Sequence, residues 1–393
     1  MLLIVHADFT YSRVYYYITP SPNVTCPQNL CITLSQFAAN FSSYHSKNTN
    51  LFLIFISGNH ILDIELSVAY ADNFTMAVDA QDNELVFVEC TNQTGRFDIS
   101  ETTFASIKGL HFIGCGDNTV TQVDQFILED VIFQDAKGRG PALVLNVVAA
   151  ASIMKSSFLS NTNGNRSEHH INITAFEDVL NSEYFSSMFS TNLTYGGALY
   201  TAYSNVMIDN TKFDRNSAPM GTAISVFDGS ISISNSQFVN NHATSAFSRY
   251  FNFGAILLFD SYALIDSSKF IHNIASVGGV LVVVHSSSLH IARSTFSYNR
   301  ASYGGVIATS DSLFSITNST FSNNSAAECG GVIYSNYVSS FNTTSSIFIN
   351  NGAAVDGGVM CIDGSSFDIT SSTFTNSGAN DSGGVMYLSL IHI

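Results

Sequence analysis

Apolar residues fall on every second position in short runs, as in "FSITNSTF" (Phe314–Phe321) and "ISISNSQF" (Ile231–Phe238). That period marks strands with one buried face. Gly, Asn and Ser, residues suited to turns, break the runs. The same residues then return in register. Phe213, Phe238, Phe270, Phe296, Phe321, Phe348 and Phe374 are spaced by 25, 32, 26, 25, 27 and 26 residues. Three residues after the first six stand Asn216, Asn241, Asn273, Asn299, Asn324 and Asn351; Ser377 replaces the seventh. Five residues after each Phe comes Ala, from Ala218 to Ala379. Five before, Ile208, Ile233, Ile265, Ile291, Ile316 and Ile369 recur, with Thr343 the exception. A Gly-led apolar run closes each unit, as in "GGVIA" at Gly304 and "GGVIY" at Gly330.

An internal repeat of this length built from strand and turn residues implies an all-β solenoid. One unit makes one coil of a parallel β-helix of about 25–27 residues, with stacked coils about 4.8 Å apart. Each column then packs on its own copies. Phe forms an aromatic ladder inside, Ala sits where the coil is narrow, and Asn bonds to the next Asn and to free backbone groups at a turn. Gly-Gly takes a turn that a Cβ forbids. Upstream the pattern loosens but persists. Phe133 lies 25 residues before Phe158, Phe112 lies 21 before Phe133, and Asn161 follows Phe158. Cys90 and Cys115, 25 residues apart, are then one coil apart and within bonding range, so a disulfide is expected. Cys329 and Cys361 occupy different columns, and no bond is expected between them.

The F-x-x-N and G-G-[AV]-[ILM] pair resembles the repeats of polymorphic outer-membrane proteins, secreted parallel β-helix adhesins, and more generally the right-handed β-helix superfamily. The likeness is clear over residues 196–388 and weaker over 85–160. It implies right-handed coils and a secreted or surface role.

Residues 8–50 read as an N-terminal cap and 51–388 as the β-helix. In "TLSQFAANFSSY", Thr33 and Gln36 form a capping box, and Leu34, Phe37, Ala38 and Phe41 fall on one helical face. Such a helix would plug the mouth of the first coil. "NLFLIFISGNHILDI" then reads as strand, Gly turn, strand. Residues 1–7 resemble the tail of a secretion signal, with a short apolar part and no basic n-region. The last six residues, "LSLIHI", match the translation of a common transposon-end sequencing adapter. With no cap after Gly384, this suggests a truncated reading frame.

Charge narrows the function classes. Lys and Arg number 14 against 30 Asp and Glu, for a net charge of −16. No basic cluster exists to neutralise phosphates, which disfavours nucleic acid. No run of 18 apolar residues could span a bilayer as a helix. Two further signs suggest secretion. Eleven N-glycosylation triplets occur, at Asn23, Asn40, Asn73, Asn92, Asn165, Asn172, Asn192, Asn318, Asn323, Asn342 and Asn380. A chain rich in Asn, Ser and Thr also makes such triplets by chance. Cys26 and Cys31, in a Pro-rich segment, are placed to close a small loop.

Catalytic signatures are sparse. The N-T-D, D-D, G-H-G and R-x-K strings of pectinase-like hydrolases are absent. Asp209, Asp214, Asp260 and Asp266 are scattered and read as solvated turn residues, and Asp214–Arg215 is a lone pair. "SEHH" (Ser167–His170) reads as a polar loop rather than a metal site. No phosphate loop or dinucleotide fingerprint follows a strand, so no cofactor or metal is expected.

Two units carry long insertions before their Gly run, at about 162–195 and after Asn241. Insertions on one edge of a solenoid often form the binding face. The shorter one presents Phe247, Arg249, Tyr250 and Phe251, residue types common at binding hot spots; the same side chains would serve equally to cover the base of the long insertion. The reading is a secreted or cell-surface, non-enzymatic scaffold for adhesion or recognition of an extracellular protein or glycan. Its rival is a carbohydrate-active enzyme, a polysaccharide lyase or hydrolase, with an atypical site.

Overall fold

A computed structural model describes residues 6–8, 11–20, 31–41, 49–79, 85–91, 95–138, 140–163, 195–243, 252–336 and 339–389. They form a right-handed parallel β-helix with one α-helix, Leu34–Phe41. A regular coil has three strands, such as Leu199–Ala202, Asn205–Asp209 and Lys212–Asp214. The next coil repeats them as Ile224–Phe227, Ser230–Ser234 and Gln237–Val239, each paired in parallel with its predecessor. Further coils follow in the same way to the strand Met386–Ser389. In Arg96–Lys108, Asn118–Glu129 and Leu143–Met154 the first two strands run on as one.

The Phe column is in register from Phe112 to Phe374. Successive rings are stacked with centroids 4.6–5.3 Å apart, the offset contact that aromatic quadrupoles favour. Below Phe112 the same column continues through Val88 to His60. The Ile column pairs likewise and is interrupted by Thr343, as the spacing implies.

Corners decide whether such a coil is stable, because there the amides point along the axis with no strand beside them. Three corners per coil solve this in one way. A residue in the left-handed region turns the chain, and the next side chain bonds to the neighbouring coil. After the Phe strand the turning residues include Arg215, Asn240, His272, Tyr298 and Asn323, all with positive φ. Each is followed by a buried Asn. Asn241 donates its Nδ2–H to the Phe213 carbonyl at 3.1 Å and to Asn273 Oδ1 at 3.0 Å. Asn273 Oδ1 also accepts the Asn241 backbone N–H at 3.1 Å. The ladder runs from Asn161 to Asn351 and ends on the Ser377 hydroxyl.

A second ladder, which the column count overlooked, precedes the Phe strand. Ser156, Thr211, Ser236, Ser268, Ser294, Ser319, Ser346 and Ser372 each accept a backbone N–H from the coil before. Each of these hydroxyls donates in turn to the carbonyl two residues back. A shorter Ser ladder, including Ser204, Ser261, Ser312 and Ser339, joins the first strand to the second.

The fourth corner is the Gly pair, where the two glycines act differently. Gly304 has φ +62°, which only Gly adopts freely. A Cβ on Gly305 would lie 2.3 Å from the Gly331 carbonyl oxygen of the next coil. This corner folds the residue before Gly-Gly over the outer face of the first strand. Tyr195 thereby meets Phe227 at 5.0 Å, and Tyr303 meets Tyr334 at 5.3 Å. Cys329 stacks beside Tyr303 and Cys361 beside Tyr334. They bond across the same corner, with Cα atoms 5.7 Å apart. The expectation that they stay unbonded is therefore wrong. Column membership measures distance along the axis only, and this bond crosses between columns. Cys90–Cys115 forms as expected, with Cα atoms 5.0 Å apart. Cys26 lies outside the described residues.

At the N-terminal end, Tyr11–Ile18 pairs in parallel with Thr49–Phe55 and is already a strand of the solenoid. The helix starts with the capping box: the Thr33 N–H donates to Gln36 Oε1 at 3.2 Å, and the Gln36 N–H to Thr33 Oγ1 at 3.3 Å. It buries Leu34, Phe37 and Ala38. Ser35 Oγ donates to the Ile61 carbonyl at 2.9 Å, tying the helix to the first coils. The segment 390–393 and most of residues 1–7 lie outside the described residues.

Two outcomes test this packing. Thr343 is fully buried in the Ile column and its hydroxyl has no hydrogen-bond partner. Replacing it with Val keeps the shape and removes a desolvated hydroxyl, so Thr343→Val should stabilise by about 1–2 kcal/mol in urea unfolding. A loss of stability would contradict the packing. His60 is buried, and desolvation lowers its pKa below 6.5 despite opposing hydrogen bonds to the Ile56 and Thr19 carbonyls. The folded coil therefore holds a neutral ring that the unfolded chain protonates first. Stability of the first coils is full above pH 6.5 and falls as pH drops toward the depressed value. Amide protection there, taken as the exchange rate relative to the intrinsic rate at each pH, should fall from pH 7 to about 5, and His60→Gln should remove that fall.

Candidate functional site

The second strands present one continuous outer face. Each alternates, so that Val206, Ile208, Ile231 and Ile233 enter the core while their neighbours face out. Parallel register stacks the outward residues into rows. One row reads Asn205, Ser230, Tyr262, Ser288, Leu313, Ser340. The next reads Met207, Ser232, Leu264, His290, Ser315, Asn342, and continues to Asp368. The long upstream strands extend the face with Gln125, Ala150 and Ser152.

Two shallow grooves mark this face. The upstream one, about 370 Å³, is lined by Gln125, Ser152, Asn205, Met207, Tyr262 and Leu264 among others. Met207 is 50% exposed and Tyr262 44%, so apolar surface stands open among amides and hydroxyls. The downstream one, about 540 Å³, is lined by His290, Leu313, Ser315, Asn342, Asp368 and their neighbours. At their junction the Tyr262 ring lies 5.7 Å from the His290 ring, and His290 Nδ1 shares a hydrogen bond with the Ser315 hydroxyl.

Charge along this flank is paired across coils. Glu129 lies between Lys108 and Lys155, whose hydrogen bonds hold its carboxyl below the usual range. Asp209 is likewise held low by hydrogen bonds from Ser234 and Asn235. Asp266 pairs with Arg293 at 2.5 Å. On the corner between first and second strands, Asp228, Asp260, His285 and Asp311 occupy successive coils and all have positive φ. Partial burial pushes the Asp260 carboxyl up; Asp228 and Asp311 add to the rise and His285 opposes it.

The carboxylates singled out in sequence do not converge. Asp209 and Asp266 share a row with Ser234 between them. Asp260 is on the corner. Asp214 is buried on the Phe strand, paired with Lys212 at 2.9 Å and Arg215 at 3.5 Å. Among the described residues no three His, Cys, Asp or Glu side chains are grouped to hold a metal ion. Phe247, Arg249, Tyr250 and Phe251, and the "SEHH" segment, lie outside the described residues. The outer rows were missed in sequence, although a signal exists. "YALIDSSKF" (Tyr262–Phe270) carries Tyr and Leu where "SISISNSQF" (Ser230–Phe238) carries Ser at both outward positions.

Of the triplet asparagines, Asn40, Asn318, Asn342 and Asn380 are exposed and Asn323 is half-buried. Asn73 is also half-buried, with its Nδ2 committed to Asn50. Asn23, Asn92, Asn165, Asn172 and Asn192 lie outside the described residues.

The fold and face define a right-handed parallel β-helix with two shallow lateral grooves. Residues 318–336 match the Chlamydia polymorphic membrane protein repeat. No curated protein matches the chain. Among solved structures the chain is similar to the catalytic unit of a GH87 alpha-1,3-glucanase from Streptomyces thermodiastaticus, with 9% identity and a TM-score of 0.46. That match covers 83% of this chain and 64% of the glucanase. PfbA, a surface adhesin of Streptococcus pneumoniae, is similar at 13% identity and a TM-score of 0.45, with 86% and 85% of the two chains covered.

Proposed function

We propose that this chain is a secreted or cell-surface recognition scaffold that binds an extracellular glycan or protein along the outer face of its second strands. The observation that carries the reading is the open patch of Met207, Tyr262 and Leu264, on two adjacent rows, set among Gln125, Asn205, Ser230 and Ser232. Aromatic and thioether surface flanked by amides and hydroxyls suits the apolar faces and hydroxyl edges of a sugar chain. Disulfides at Cys90–Cys115 and Cys329–Cys361 favour an oxidising compartment. Among the described residues no helix is long and apolar enough to cross a membrane.

One observation favours the rival enzyme: carboxylates of Asp228, Asp260 and Asp311 line one corner, with Asp260 pushed up. Their left-handed backbone gives them a structural reason to be there, since Asp adopts that conformation more readily than most residues. Release of products from a polysaccharide panel, abolished by Asp260→Asn, would favour the enzyme.

A glycan and protein array probed with the purified chain tests recognition. Tyr262→Ala should weaken the strongest binding tenfold or more, the loss typical of a central aromatic anchor. Unchanged binding in both Tyr262→Ala and Met207→Ser proteins would remove this face from the account.

A further inference from the structure

The two grooves differ in one chemical respect. Asn342 stands in the lining of the downstream groove and begins the acceptor triplet Asn342-Thr343-Thr344. The upstream groove contains Asn205, but Val206 and Met207 follow it, so it holds no acceptor. Asn342 lies mid-strand in Ser340–Thr344, exposed, between Ser315 on one coil and Asp368 on the next. Its alternation is fixed by Phe341 and Thr343, both buried. The side chain therefore points outward on a rigid strand, unlike an acceptor on a loose loop. Around it are the Ser288, Ser315, His290 and Asp368 side chains, which offer donors and acceptors to sugar hydroxyl and acetamido groups. Leu313 adds an apolar wall, 59% exposed.

We propose that Asn342 carries an N-linked glycan whose first sugars occupy the downstream groove, leaving the upstream groove as the ligand-binding part of the face. This deepens the recognition reading and rests on its secreted location. The modification needs a polyprenyl-pyrophosphate-linked oligosaccharide as donor. The bond from sugar C1 to the pyrophosphate oxygen breaks, a bond from C1 to Asn342 Nδ2 forms, one amide proton is given up, and the lipid pyrophosphate leaves. The transfer acts on the extended chain before this coil docks, and the folded strand then holds the product facing out. Asn73 contrasts with it: its Nδ2 is committed to Asn50 within the sheet face.

The test is glycopeptide mapping of the full chain secreted from a eukaryotic host. It is combined with hydroxyl-radical footprinting before and after enzymatic removal of glycans from the folded protein. The expected result is that Asn342 is occupied in most molecules, and that labelling of His290 and Leu313 rises at least twofold when the glycan is removed. Labelling of Met207, at the far end of the upstream groove, should not change. Asn342→Gln should reproduce the deglycosylated footprint; should that variant fail to fold, enzymatic removal supplies the same comparison. An unmodified Asn342 peptide in the secreted protein would overturn the inference. So would an occupied Asn342 with an unchanged footprint at His290 and Leu313. Neither readout uses a ligand, so occupancy at Asn342 stands or falls separately from any loss of binding in Tyr262→Ala.

Discussion

The constraint on which the rest depends is the buried corner. A coil that turns on itself leaves backbone N–H groups at each bend with no strand alongside, and an unpaired buried amide costs about 1–3 kcal/mol. Here side chains take the strand's place. Asn Oδ1 and Ser Oγ atoms on one coil accept N–H groups from the coil before, while Asn Nδ2 and Ser O–H return to nearby carbonyls. Each ladder residue is thereby both donor and acceptor, so the network closes on itself from coil to coil. Asn273, Asn299 and Ser294 are essentially inaccessible, and their amide and hydroxyl groups are satisfied. With corners fixed, the strands between them can be as short as three residues, as in Lys269–Ile271.

The same geometry assigns most of the polar surface. A residue preceding a ladder position must adopt positive φ, and Asn or Asp often fills it, as Asn235, Asn240, Asp260 and Asp311 do. Turn chemistry alone gives Asp228, Asp260 and Asp311 a reason to stand on one corner. What the corners do not explain is apolar surface at outward strand positions. Met207, Tyr262, Leu264 and Leu313 are exposed in rows that other coils fill with Ser, Asn, His or Asp, and nothing in the ladder scheme requires them. The proposed recognition face is therefore the lateral one rather than the repeated motif.

Much of this was legible in the sequence. Phe, Asn, Ala, Ile and Gly-Gly each recur at coil spacing, and buried columns vary little because each copy packs on the last. The Ser ladder was equally present, since Ser or Thr stands two residues before every Phe from Phe158 to Phe374. It was overlooked because Ser and Thr are so common in this chain that a column of them does not stand out. The Cys329–Cys361 bond was misread for a geometric reason. Spacing tells which residues stack, but not which columns a Gly-Gly corner folds together. Tyr303 and Tyr334 make the same diagonal one coil earlier, and only the folded corner shows it. The outward rows were hard to see because they depend on the register of many short strands at once.

Native-state hydrogen exchange resolved at single amides tests the central claim most directly. The backbone N–H groups of Asn216, Asn241, Asn273 and Asn299 are in corners, yet each is bonded to an Asn Oδ1 at 3.0–3.1 Å. The account predicts that they exchange as slowly as amides within the adjoining strands, such as those of Phe238 and Phe270. Exchange at the rate of ordinary exposed turns, with the strand amides still protected, would contradict it.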